Sequence, residues 1–184
     1  MRYLKFKYFM FFIRLVLLKI KYGSKIFFSS IKIGFENSIL ILVDNNLSSI
    51  KFGTFNYFYR YGNIEVYDGG IIEFGNNISI NKGFSIVCRS SIRFGNNIII
   101  GPNAMIYDHN HNYFNNSMPF SKQGFNSKPI IFGDNIWLGA NVFIAPGITI
   151  GSNVVIAAGS IVTKNIASNS IVGGNPAKLI RNIN

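Results

Sequence analysis

From Phe74 onward an aliphatic or aromatic residue returns at every sixth position. The series runs Phe74, Ile80, Ile86 and Ile92, slips by two, and continues at Phe94, Ile100 and Ile106. After a gap it resumes at Phe132, Leu138, Ile144, Ile150, Ile156 and Val162. Glycine or another small residue often follows, as in "FGNNIS", "IGPNAM", "FGDNIW" and "IGSNVV". A period of six fits neither an amphipathic helix nor an alternating strand. It fits an all-β solenoid of short strands and corners, with three units to a coil. The apolar residue then points into a narrow axial core, and the small residue beside it leaves room for the corner. Each coil contacts mainly the next, so both open ends need caps.

The 184 residues suffice for one domain. Three parts are expected: a basic apolar arm over 1–32, the solenoid over 33–172, and a tail over 173–184. Fragments from Ile33 ("IGFENSI") and Phe52 ("FGTFNYF") carry the pattern more raggedly than the rest. The arm holds eight of the basic residues and no acidic one, the first acid being Glu36, within a net charge of +11. Arg14 and Lys19 cut its apolar run too short to span a bilayer, and no small-x-small cleavage site follows. As a helix it would carry a basic stripe of Lys7, Arg14 and Lys21 beside a broad Phe/Leu/Ile surface. Two roles stay open for it: a cap on the solenoid, or peripheral contact with an anionic membrane. Cys88 is the chain's one cysteine, which excludes an intrachain disulfide and fits a reducing, cytoplasmic location.

The gap in the period is informative. After Ile106 the next core position falls at Asn112, yet the following one is Phe132; removing residues 112–131 closes the frame. That segment is expected to be a loop projecting from a corner, and long loops in compact domains are commonly functional. The chain's two histidines, His109 and His111, stand at its base. Histidine, with an unperturbed pKa of about 6.5, is suited to accept a proton near neutral pH. On an extended backbone the two would face the same side. Asp108, His109 and His111 are too closely spaced, and lack a fourth partner, for a common zinc site; no metal is expected.

The run "FGDNIWLGANVFIAPGITIGSNVVIAAGSIVTKNIASNSIVGGNPAKLIRNI", Phe132 to Ile183, closely resembles the hexapeptide-repeat acyltransferases. Within that family it is most similar to the sugar O-acetyltransferases of bacterial surface-polysaccharide assembly, and more distantly to the galactoside and maltose acetyltransferases. The resemblance implies a left-handed parallel β-helix, a homotrimer, and acetyl-CoA as co-substrate. It also implies a catalytic histidine eight residues after the Asn of an "APN" or "GPN" corner, which here is His111; His109 is its neighbour. Asn81 matches an acceptor-contacting asparagine, and Asp108 is expected near the acceptor as well. Cys88 and Arg89 stand where the galactoside and maltose enzymes have acidic residues, so acceptor recognition is expected to differ. Trp137 matches a tryptophan beside the active site, and Ala140 a residue whose backbone N–H receives the oxyanion. Gly139, Ala140, Ala158, Thr163, Lys164, Lys178 and Arg181, with Trp137, match the coenzyme A groove between adjacent subunits.

The expected activity is transfer of acetyl from acetyl-CoA to a sugar hydroxyl of a surface polysaccharide or its precursor, in the cytoplasm or at the inner face of the membrane. N-acetylation of an amino sugar is the alternative, since the same base serves an ammonium. A non-catalytic scaffold is opposed by the "DHNH" at the loop base, Trp137 and the "GNPAK" tail. Nucleic-acid binding is not expected: the basic cluster is mixed with apolar surface and no binding motif is present. No Walker A loop or dinucleotide-binding fingerprint occurs.

Overall fold

A computed structural model describes residues 2–30, 32–36, 38–44 and 47–183, with side chains from residue 9 onward. After one helix, α1 (Arg2–Tyr22), the chain winds into a left-handed parallel β-helix of about six turns. Its three sheets form the faces of a prism. The first face stacks Ile26–Phe28, Ser49–Phe52, Ile71–Phe74, Ser91–Phe94, Ile130–Phe132 and Thr149–Ile150. The second stacks Ile33–Phe35, Asn56–Phe58, Ile78–Ile80, Ile98–Ile100, Ile136–Leu138, Val154–Ile156 and Ser170–Gly173. The third stacks Leu40–Val43, Asn63–Val66, Ser85–Cys88, Met105–Tyr107, Phe143–Ile144 and Ile161–Val162.

Every position of the six-residue period is buried, none more than 4% exposed. Residues between them alternate outward, as a pleated strand requires. Along one corner of the core the phenylalanines form a ladder. Phe28, Phe52, Phe74, Phe94 and Phe132 stack in succession at centroid separations of 5.4, 5.1, 4.8 and 4.6 Å.

Register explains why the period is regular only in the later coils. Ile26 lies opposite Ile50, Ile50 opposite Ile72 and Ile72 opposite Ile92, so each coil is shorter than the one before it. Ile131 lies opposite Thr149, a coil of three hexapeptides with nothing added. Between them Ile92 lies opposite Ile130, an offset equal to one such coil plus the insert expected over 112–131. The first coil opens at Ile26, ahead of the boundary expected at Ile33, because its extra corner residues blur the period. The coil after the insert likewise resumes at Ile130 rather than Phe132.

The corners show what their small residues do. A Cβ on Gly75 would lie 2.2 Å from the carbonyl oxygen of Gly95, the equivalent glycine of the next coil. The constraint is coil-to-coil approach rather than freedom of φ, since Gly75 is not in the left-handed region. Left-handed backbone falls instead to asparagine: Asn77, Asn97, Asn135, Asn153 and Asn169 have φ between 55° and 59°. Asn tolerates this conformation better than other side chains with a Cβ. Several of these residues also bond to one another, with Nδ2 of Asn135 donating to Asn153 (2.8 Å) and that of Asn153 to Asn169 (2.9 Å).

Helix α1 covers the open first coil. Phe11 and Leu15 are buried, and Leu18 and Tyr22 pack partly against the core. Three polar groups of α1 donate to carbonyls of that coil: Arg14 to Ile39, Lys19 to Ile26 (2.9 Å) and Tyr22 to Ile41 (2.6 Å). Arg14 therefore does not belong to a solvated stripe; its guanidinium is partly buried, which lowers its pKa. The side chain of Lys7, expected in the same stripe, lies outside the described residues. At the other end Lys178–Asn182 pairs antiparallel with Ser170–Gly173 and closes the second face.

Candidate active site

The chain leaves the third face after Tyr107 and rejoins the first at Ile130. The excursion begins as a ribbon rather than an open loop. His109–His111 pairs antiparallel with Phe125–Ser127, placing His109 opposite Ser127 and His111 opposite Phe125. The ribbon is anchored where Lys128 N–H donates to Asp108 O (2.7 Å), and continues with Asn112 N–H to Gly124 O (3.0 Å). Beyond it Gln123 ties the tip together, its Nε2 donating to the carbonyls of Asn115 (2.9 Å) and Met118 (2.8 Å). Both histidines thus stand on the excursion itself. Alternation puts their rings on one side, where Phe125 meets each, at 5.4 Å from His109 and 4.4 Å from His111.

The two imidazoles differ in surroundings. His111 is exposed and borders a hollow lined by Asn112, Tyr113, Phe120 and Ser121. His109 is largely covered, with Nδ1 3.1 Å from Oδ1 of Asp108. Asp108, expected near an acceptor, has no solvent exposure. Its carboxylate receives the N–H groups of Arg89 (2.9 Å) and Ser90 (2.7 Å) and the Cys88 thiol (3.3 Å). Burial alone would raise the Asp108 pKa, but the bonds from His109, Arg89, Ser90 and Cys88 outweigh it and the net shift is downward. An ionised carboxylate only accepts, so Nδ1 of His109 carries the proton of this bond. Burial and the charge of Asp108 push the Cys88 thiol up, keeping it protonated. Phe125 is a contact that the sequence did not signal, and Arg89, singled out only as a departure from the acidic residue of related enzymes, packs against it. The Arg89 guanidinium lies 3.6 Å from the Phe125 ring centroid, yet Phe125 has no place in the period that would mark it.

The remaining expected residues fall in three other places. Trp137 is 56% exposed on the second face, in register between Ile99 and Val155. Asn81, Gly139, Ala140 and Ala158 follow second-face strands and so line the corner between the second and third faces. There the side chain of Asn81 caps its own turn, accepting the N–H of Lys82 (2.8 Å). The N–H groups on either side of Ala140 are used within the solenoid, Gly139 bonding to Ile156 O and Asn141 to Pro102 O (both 2.8 Å). Thr163 and Lys164 follow a third-face strand and share the histidines' corner, while Lys178 and Arg181 lie exposed on the closing strand of the second face. In a prism the corner between the third and first faces is opposite the second face. One chain therefore holds His111 and Trp137 on opposite sides. Among the described residues no group of three or more His, Cys, Asp or Glu is placed to hold a metal ion.

Residues 129–164 match the family model described as the hexapeptide repeat of succinyl-transferase. Along 76% of its length the chain is 33% identical to the Escherichia coli K12 protein named "Putative lipopolysaccharide biosynthesis O-acetyl transferase WbbJ", covering 74% of that protein. The chain belongs to the hexapeptide-repeat acetyltransferase family. Another member, the galactoside O-acetyltransferase of Escherichia coli K12, is 40% identical over 117 residues, 63% of this chain and 56% of the enzyme. Among solved members, a hexapeptide-repeat-containing acetyltransferase from Vibrio cholerae, complexed with acetyl coenzyme A, superposes with a TM-score of 0.59. It is 26% identical, and the match covers 80% of this chain and 72% of that one.

Proposed function

We infer that this acetyltransferase moves the acetyl group of acetyl-CoA to a sugar hydroxyl of a bacterial surface polysaccharide or its precursor, with His111 as general base. The carrying observation is that the chain's only two imidazoles stand together on a ribbon at one corner of the solenoid, with His111 open to solvent. Nitrogen of the neutral ring accepts the hydroxyl proton as the sugar oxygen attacks the thioester carbonyl. The tetrahedral oxyanion is received by the backbone N–H of Ala140. Collapse breaks the C–S bond, and the thiolate takes up the proton, leaving acetyl ester and free coenzyme A. The relatives' names, one of an O-acetyl transferase in lipopolysaccharide biosynthesis and one of a galactoside O-acetyltransferase, support a carbohydrate acceptor.

A homotrimer is part of this reading. The separation of His111 from Trp137 across one prism favours a site in which the ribbon of one copy meets the second face and adjoining corner of the next. Gly139, Ala140, Ala158 and Trp137 from one side, with Thr163 and Lys164 from the other, then line a groove for acetyl-CoA. Lys178 and Arg181 offer charge to its phosphates. Asn81 stands at the acceptor end of the same corner.

Incubation with acetyl-labelled acetyl-CoA and cell-envelope glycans, followed by mass spectrometry, tests the reading. The expected product is a sugar carrying an alkali-labile acetyl ester. An alkali-stable label means amide formation on an amino sugar, and no transfer together with no saturable acetyl-CoA binding means a scaffold.

A further inference from the structure

Helix α1 is apolar on two opposite sides, and the solenoid covers one of them. Phe11 and Leu15 point inward. On the other side Phe9, Phe12, Val16 and Ile20 recur at spacings of three and four, with Leu17 beside them. All five are exposed, Ile20 by 75%. A helix apolar all round requires an apolar surrounding on both sides, and contiguous exposed apolar surface marks an interaction site. Charge distinguishes the occupant. Lys21 flanks the outer stripe and is exposed, and the segment from Met1 to Lys32 has eight basic residues against no acid. Pairing this face with its own copy would bring those cations together, whereas an anionic lipid surface answers both the apolar stripe and the charge. No helix among the described residues is long and apolar enough to cross a membrane. Contact is therefore in the plane of the interface.

We propose that the outer face of α1 docks on an anionic lipid bilayer, with the Phe9–Ile20 stripe at the headgroup–acyl boundary and Lys21 over lipid phosphates. The placement is independent of the catalytic reading, since α1 packs on Ile26–Phe28 and Ile33–Phe35 of the first coil and the ribbon leaves the solenoid three coils later. The full chain is sedimented with vesicles of phosphatidylcholine alone, or with about a third phosphatidylglycerol. Binding is expected to the anionic vesicles, to weaken as salt rises, and to fall about a hundredfold in the double variant Leu17→Ser/Ile20→Ser. Helical circular dichroism should be unchanged in that variant, because both side chains are solvent-facing. Absence of binding to anionic vesicles overturns the proposal, as does equal binding by the variant. A variant whose mass in solution changes while its vesicle binding does not would assign the face to a second copy, and overturns it as well.

Discussion

Nδ1 of His109 lies 3.1 Å from Oδ1 of Asp108, a carboxylate with no solvent exposure. The same carboxylate ties the third-face corner at Arg89 and Ser90 to the start of the ribbon, so one buried charge holds the strand that carries both imidazoles.

Acidification should therefore loosen the protein at this point. The Asp108 carboxyl sits below its ordinary 3.8 in the folded state, so its contribution to stability is complete above that value and is lost as pH falls through the lower, folded one. Asp108→Asn should be less stable at pH 7, by about 3 kcal/mol. It should also lose less than the native protein on acidification below about pH 4. Urea unfolding across that range measures both, and parallel stability profiles would count against the assignment.

The phenylalanine ladder yields a separate expectation. Phe94 stacks between Phe74 at 4.8 Å and Phe132 at 4.6 Å, and is almost fully buried. Phe94→Ala leaves a void between two coils whose backbones are fixed by ladders on three faces, so little collapse can fill it. A loss of about 3–5 kcal/mol is expected in equilibrium unfolding. A loss below about 1 kcal/mol would mean that the stack does not bear on stability in the way burial implies.

A site shared between copies predicts rescue by mixing. His111→Ala and Trp137→Ala should each be impaired alone, but co-expressed they should recover part of the activity, because some mixed trimers contain a site with both native residues. Sizing of the purified protein should give three copies. Mixed assemblies with no more activity than either variant would contradict a site that takes His111 from one copy and Trp137 from the next.

Much of this architecture is legible in the primary structure, and the parts that are not have physical reasons. Phe74, Ile80 and Ile150 announce the core because the later coils stay close to three hexapeptides and keep the period nearly intact. Ile26 and Phe28 occupy equivalent places in space yet escape the pattern, since the first two coils carry extra corner residues. The frame places the insert over 112–131, whereas the chain leaves the third face after Tyr107 and rejoins the first at Ile130. The insert's internal pairing does not follow from the frame, because a ribbon as short as His109–His111 with Phe125–Ser127 leaves no periodic signal. In the sequence Asp108 reads as an acceptor-side residue beside two histidines. Its burial depends on donors from Cys88, Arg89 and Ser90, one coil away and invisible to local reading.

Release of free thiol from acetyl-CoA in the presence of a glycan acceptor, compared between native protein and His111→Ala, bears most directly on the account. With His111 as base, the variant should bind acetyl-CoA and keep its fold while turnover falls at least about a hundredfold. Full acceptor-dependent turnover in His111→Ala would contradict it.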